Sequence, residues 1–564
     1  MPNNPVQVVL NTEKFLGRPD RPPGGKVKDF FADRDVQFAN HKRRVLNQIA
    51  DINEQIHNEL GIGYAHVTLQ SDAFAKSHRP FQALLPPDRV PLIGGGKFGE
   101  LIVEFTAENL PTVENAIRRA EDVVVFRLNK EGEEEPRPSR ARSEVGAISS
   151  IRAHEPIDRR AFSAEEAVAW LDDLRTGGLY IIETFVDPAE VSAAETDRVR
   201  AKVALSSFLE KLQGLGVRVE TIEAPPRFRG HRLLFLKLAR RKSESRKERV
   251  ARHQTFLEFV EKQAAVRRVL LPPLIEPGHE VHGTPGDAVV FSPPRAGDFP
   301  VVGVIDTGAA KIPSLEAWCA GRTDFVGGGS GQDRSHGTFI AGLTVASGQL
   351  NSHSVLAEPP CKFFDLALFP TSASQFASFF PNGFLDFLQQ LEEELGEAKA
   401  AGARVFNMSL SLERQVTDDR YGFFASYVDQ IVDKQDILLV LPSGNLDAAQ
   451  RRNEWPDSPP KVLKMLAEYR HSDKDRVLEP AESVRAVVAG ALNPPSCVDA
   501  PLRPATYTRR GPSTALGTKP DVAHVGGNAI TSCFRSTQRD VVSTVAERVT
   551  RRPWWRRLWR TSIR

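Results

Sequence analysis

Two short stretches of this 564-residue chain carry side chains suited to moving protons. Val301-Val302-Gly303-Val304-Ile305-Asp306-Thr307-Gly308 is an apolar run that ends in a carboxylate, a hydroxyl and a glycine. Such a run predicts a buried parallel strand with Asp306 at its C-terminal end, where open α/β sheets place their active sites. Thirty positions on, Ser335-His336-Gly337-Thr338-Phe339-Ile340-Ala341-Gly342 sets a histidine beside a glycine and opens a helix with an apolar face. The small residues let another stretch of chain approach the imidazole. Carboxylates and imidazoles are among the side chains that carry general acid–base chemistry. Taken singly, Asp306 reads as a capping residue before a turn and His336 as a structural histidine. The two motifs together are much harder to obtain by chance.

These residues resemble the subtilisin-like (S8) serine peptidases, whose aspartate motif reads D-T-G and whose histidine motif reads H-G-T-x-x-A-G, in the chain order aspartate, histidine, serine. Further matches extend the resemblance over about residues 300 to 527. Val405-Phe406-Asn407-Met408-Ser409-Leu410-Ser411 is similar to the family's strand whose backbone pairs with an extended substrate, which implies substrate binding by Ser409, Leu410 and Ser411. Ile437 to Leu441, then Pro442-Ser443-Gly444-Asn445, resembles the strand and turn that deliver an oxyanion-hole asparagine. Val484 to Val488 with Ala489-Gly490-Ala491 resembles the next core strand. Tyr507-Thr508-Arg509-Arg510-Gly511-Pro512 and Lys519-Pro520-Asp521-Val522 resemble the S-x-R-G-P and K-P-D-V segments that precede the family's serine. The resemblance implies peptide-bond hydrolysis by an Asp/His/Ser triad. His336 would take the proton from a serine hydroxyl, while Asp306 would fix its tautomer and stabilise the imidazolium. Asn445 would donate its amide to the developing oxyanion.

The family's nucleophile lies in G-T-S-x-A-x-P, and no such heptad occurs in this chain. Ser532 follows a threonine but lacks the alanine and proline, and Ser543-Thr544-Val545-Ala546 would set Thr544 at the nucleophile's place. Both read as ordinary hydroxyls, so the nucleophile is unknown at this point. Residues 531–564 differ abruptly from what precedes them: Trp554, Trp555 and Trp559 stand among Arg551, Arg552, Arg556, Arg557 and Arg560. A changed reading frame or gene end would explain that. A basic membrane-surface segment is the alternative, weakened by Pro553 and the short length. Two functions follow: an active serine endopeptidase, or a catalytically inactive relative that binds peptides or a partner protein by β-augmentation. A truncated or frameshifted gene product is a further alternative. A nucleic-acid or membrane binder would rest on the tail alone. No cofactor or catalytic metal is expected, and the resemblance leaves structural calcium open.

The elements that must position these residues form an α/β domain, a doubly wound parallel sheet over residues 300–530, preceded by an α+β region. Within residues 1–150 the pattern predicts a helix around Asp35 to Glu59, strands at Ala65 to Leu69 and Glu100 to Phe105, a helix from Leu110 to Ala120 and a charged linker, Glu131 to Arg142. Over residues 151–275 the order is strand, helix, strand, strand, helix, strand: Leu179 to Val186, Pro188 to Leu212, Val217 to Ile222, Leu233 to Leu238, Gln254 to Ala264 and Val266 to Leu271. This is a ferredoxin-like arrangement. Secreted subtilisins carry a pro-domain of similar topology, so an inhibitory or chaperone role stands beside a plain interaction domain. Pro272 to Pro300 is rich in proline and glycine and reads as a linker, with 276–299 between domains.

Composition sets the outer bounds. With 41% hydrophobic and 26% charged residues the chain has the balance of a soluble globular protein. Its 74 basic and 72 acidic side chains nearly cancel, which argues against nucleic acid as the main partner. A protein or peptide substrate is the expected partner, with a second partner conceivable through the N-terminal domains. Four cysteines, Cys319, Cys361, Cys497 and Cys533, make no disulfide framework. The N-terminus shows no secretory signal and no run is apolar enough to span a membrane, so the cytoplasm is the expected location.

Overall fold

The computed structural model describes residues 27–526, apart from several short stretches and the longer segments 188–198, 224–231, 278–296, 351–360 and 494–501. The chain divides into two compact units, one built from residues up to His154 and the other from Glu155 onward, with residues 96–98 grouped with the second.

The first unit begins with α1 (Asp35–Ile56), which turns Phe38, Val45, Ile49, Ile52 and Ile56 inward at helical spacing. Strands β1 (Ile62–Leu69), β2 (Leu92–Gly95) and β3 (Glu100–Thr106) follow, then α2 (Leu110–Arg118). Next come a hairpin of β4 (Phe126–Leu128) and β5 (Glu134–Pro136), helix α3 (Arg140–Ala147) and β6 (Ile148–Ala153). The sheet order is β2-β3-β1-β6, and β6 runs across residue 150. The expected charged linker at Glu131 to Arg142 is a correction: it contains β5 and the start of α3, and Arg142 is wholly buried. Its guanidinium reaches Asp29 at 3.1 Å and Asp35 at 2.6 Å, which is how a charge tolerates burial.

After short helices at Pro156–Arg159 and Ala164–Leu171, the second unit continues with β7 (Leu179–Thr184), α4 (Val199–Gln213), β8 (Val219–Ile222), β9 (Leu233–Leu238), α5 (Arg246–Glu261) and β10 (Val266–Leu270). The order matches the sequence reading, and the antiparallel sheet β10-β7-β9-β8 is the ferredoxin-like strand order. Residues 188–198, the start of the expected first helix, lie outside the described residues. Helix α5 begins at Arg246, before the expected Gln254, because Ser245 and Glu248 form a capping box there. Within the expected linker, Ile275–Pro277 forms a strand, β11.

Seven strands then make one parallel sheet: β12 (Val301–Asp306), β13 (Cys319–Asp324), β14 (Lys362–Ala367), β15 (Val405–Met408), β17 (Leu438–Pro442), β18 (Val487–Leu492) and β19 (Val522–Val525), in the order β13-β14-β12-β15-β17-β18-β19. Between β15 and β17 lies the short β16 (Leu410–Leu412). Helices α6 (Ser335–Leu350), α7 (Phe384–Ala400) and α8 (Phe423–Gln435) accompany the sheet. From β12 the chain passes to the edge strand β13, returns to β14 beside β12 and then crosses to β15 on the other side, so β12 stands at the switch point of the sheet. Ligands of open α/β sheets bind in the crevice at such a point.

One core joins the ferredoxin-like sheet to the parallel-sheet domain. Leu179, Ile181, Leu233 and Phe235 bury into the same cluster as Phe384, Leu385, Phe387 and Phe424. The backbones also meet: a Cβ on Gly177 would lie 2.7 Å from Asn382 C and Gly383 N. Lys237 Nζ donates to Pro381 O at 3.2 Å and to Asn382 Oδ1 at 3.1 Å.

Candidate active site

The apolar side chains of β12 fix it between β14 and β15, with Ile305 level with Leu366 and Met408. Its last residue, Asp306, is therefore delivered to the C-terminal edge and is 1% exposed. The carboxylate accepts the Thr307 N–H at Oδ1, 2.7 Å away. The chain then turns at Gly308, whose φ of +92° favours glycine. Helix α6 starts where Asp333 Oδ1 accepts the Ser335 N–H at 2.9 Å, and His336 follows in its first turn.

His336 Nδ1 lies 2.8 Å from Asp306 Oδ1 and 2.9 Å from Oδ2. An ionised carboxylate can only accept, so the proton of a neutral imidazole sits on Nδ1 and Nε2 is left as the base. Burial disfavours the imidazolium, but the charge of Asp306, its hydrogen bond and the charge of Asp333 together hold the His336 pKa above the ordinary histidine value. The approach depends on two glycines. A Cβ on Gly337 would fall 2.4 Å from Gly308 O, and the Gly337 N–H donates to Thr307 Oγ1 at 3.2 Å. Gln332 braces the turn from the other side, donating from Nε2 to Thr307 O at 2.9 Å and to Phe369 O at 2.7 Å.

The other expected residues share this edge of the sheet. Ser409 Oγ accepts from Asn407 Nδ2 at 2.7 Å, just past β15. Leu410 and Leu412 are buried, and Ser411 between them is half-buried. Asn445 follows β17 after Gly444, which has φ +89°. It is exposed, and Arg509 Nε donates to its carbonyl oxygen at 2.8 Å. Asp306 and His336 are thus brought into contact, while Ser409–Ser411 and Asn445 stand at the ends of the next two strands. Ser532, Thr544 and the tail 531–564 lie outside the described residues.

Two features were missed in the sequence. Asp365, in β14, is 1% exposed and both its oxygens accept the Ala309 N–H at 3.1 Å. Burial outweighs that bond and Arg322, and pushes its pKa up to about 6. A lone carboxylate inside Phe363-Phe364-Asp365-Leu366-Ala367 was the available signal. The second is β11, which pairs antiparallel with β16: Ile275 with Leu412, Glu276 with Ser411 and Pro277 with Leu410. The strand expected to hold an extended substrate therefore already holds a segment of its own chain.

Residues 297–554 match the model of the subtilase family, Peptidase S8. A curated relative, the uncharacterised protein y4bN of Sinorhizobium fredii, is 25% identical over 167 residues, which cover 27% of this chain and 36% of that protein's length. Similar solved structures include the prenylagaramide maturation protease PagA, at 13% identity over 44% of this chain and 70% of that one, with a TM-score of 0.25. The MycP3 protease of the type VII (ESX-3) secretion system is 19% identical over 44% of this chain and 68% of that one, also with a TM-score of 0.25. Residues 297–554, somewhat under half of the chain, are thus similar to the subtilisin-like S8 peptidase family.

Proposed function

We propose that the chain is a serine endopeptidase that cuts extended segments of protein or peptide substrates. The observation that carries this reading is the Asp306–His336 contact at the switch point of the sheet. In the proposed reaction His336 Nε2 removes the proton of a hydroxyl as it attacks the scissile carbonyl. Asp306 keeps the ring in the required tautomer and offsets the charge it acquires. Asn445 donates to the oxyanion, a contact of a kind worth about 3 to 4 kcal/mol in barrier height. The nucleophile is to be sought among the hydroxyls of residues 527–554, Ser532 and Thr544 among them, since the family match spans them.

The pairing of β11 with β16 supports a substrate laid antiparallel along Leu410–Leu412. It also favours a second reading, in which the edge binds extended peptides without cutting them. In either case the ferredoxin-like domain and β11 act as a built-in occupant that a substrate must displace. We place the protein in the cytoplasm, in keeping with the free thiols of Cys319 and Cys361.

The experiment is labelling of the purified full-length chain with a fluorophosphonate, beside His336→Ala, with the adduct mapped by mass spectrometry. An adduct that depends on His336 establishes the peptidase and identifies its nucleophile. No adduct on folded protein that still binds an extended peptide establishes the second reading.

A further inference from the structure

Apart from the peptidase site, the first unit holds two buried histidines with ring nitrogens face to face. His66 of β1 lies opposite Arg152 of β6, and the His154 N–H donates to Tyr64 O at 2.8 Å. Antiparallel pairing thus makes the two histidines diagonal neighbours on one face of the sheet. That face is opposite the one on which Ala65, Val67 and Leu69 enter the core of this unit. His66 is 5% and His154 6% exposed. Their rings are nearly parallel, at 12°, and His66 Nε2 stands 2.9 Å from His154 Nδ1.

We propose that His66 Nε2 and His154 Nδ1 bind a divalent transition-metal ion of the zinc or copper class. Imidazole suits these ions. The second nitrogen of His66 supports the assignment. Glu100 Oε1 lies 3.1 Å from His66 Nδ1, and the carboxylate charge favours the proton there, which frees the Nε2 lone pair. A carboxylate beside the far nitrogen is the usual companion of a metal-ligating histidine. Arg152 Nη2 stands 3.8 Å from the same carboxylate oxygen and helps to hold it in place. With metal–nitrogen bonds of about 2.0–2.1 Å, two tetrahedral ligand nitrogens stand about 3.3 Å apart, so metal uptake parts the nitrogens by about 0.4 Å and tilts both rings, which meet nearly head-on at a centroid separation of 5.2 Å, until their lone pairs converge on the ion. Water would complete the coordination. The competing arrangement is a proton in place of the metal, a hydrogen bond from His154 Nδ1 to His66 Nε2.

The test uses the full-length chain, stripped with a chelator and titrated with Cu²⁺ and, separately, Zn²⁺. One equivalent should bind, and the Cu²⁺ resonance spectrum should show coupling to two imidazole nitrogens. That readout is made on the wild-type protein and needs no variant to fold. His66→Gln and His154→Gln should each abolish the equivalent, and Glu100→Gln should weaken it by about 10- to 100-fold. Failure to bind, coupling to fewer than two nitrogens, or undiminished binding in both histidine variants would overturn the proposal and leave a hydrogen-bonded pair. No arm depends on peptidase activity, so the two proposals stand or fall separately.

Discussion

Replacing Gly337 by alanine puts a methyl group where the backbone of the Asp306 turn already lies. The new Cβ would stand 2.4 Å from Gly308 O, 2.8 Å from its carbonyl carbon and 2.9 Å from its nitrogen. None of these atoms belongs to a flexible side chain. The start of α6 must therefore withdraw by about 1 Å to restore an ordinary contact of about 3.5 Å. The Gly337 N–H bond to Thr307, already 3.2 Å long, breaks under that displacement, and the 2.8 Å contact between His336 and Asp306 opens with it. Overpacking of this kind costs about 1–3 kcal/mol and a lost hydrogen bond about 1 kcal/mol. Urea unfolding should thus show Gly337→Ala to be less stable by about 2–4 kcal/mol. Histidine-selective NMR should show His336 titrating at lower pH than in the wild type, because the charge that holds its pKa up has moved away. Gly396→Ala is the control. Among the described residues nothing lies within 4 Å of a Cβ there, and within α7 alanine should stabilise by about 0.8–1 kcal/mol. If Gly337→Ala matched the wild type in both stability and His336 titration, the close approach of the two glycines would not be what holds the pair.

Asp306→Asn tests the pair through pH. His336 has a raised pKa when folded, so its contribution is fully present below its unfolded pKa of about 6.5 and is lost as pH rises through the folded value. The stability gap between wild type and variant should narrow over that window in urea titrations, and a gap independent of pH would refute the linkage. Phe235→Ala should cost about 3–5 kcal/mol. Its ring lies 6.0 Å from that of Phe384, so hydrogen exchange should show α7 losing protection together with β7 and β9. Unchanged protection in α7 would mean the two do not share a core.

The peptidase motifs were legible because chemistry and geometry constrain the same residues. Asp306 must end a buried strand, Gly308 must turn through a positive φ and Gly337 must be small for His336 to reach the carboxylate, so residue type and spacing carried the pair. The central strands were legible as apolar runs bounded by turns. What stayed hidden depended on partners distant in the chain. Arg142 reads as solvent-exposed until Asp29 and Asp35 are seen beside it. Asp365 reads as an interruption of an apolar run, because its contact with Ala309 joins β14 to the turn after β12. Ile275-Glu276-Pro277 has neither the length nor the alternation of a strand, and becomes one through Leu410–Leu412.

That short strand bears on how the site can be opened. Taken alone, β11 is weakly held: a few backbone hydrogen bonds at about 0.5–1.5 kcal/mol each, and a buried Ile275 worth about 2 kcal/mol. A free peptide making the same contacts should compete, were β11 not tethered. It is anchored upstream, where Trp170 Nε1 donates to Pro272 O at 2.9 Å and Leu274 is buried, and β10 leads back into a sheet that shares the core with α7. A short tether gives the bound segment an effective concentration in the millimolar range, so a peptide of equal affinity must approach that concentration to displace it. Loosening the shared core lowers this barrier without altering any residue of the β16 edge. Phe235→Ala should therefore bind extended peptides more tightly than the wild type even as it loses stability, whereas weaker binding in the folded variant would mean that the ferredoxin-like domain helps to form the site instead of occupying it.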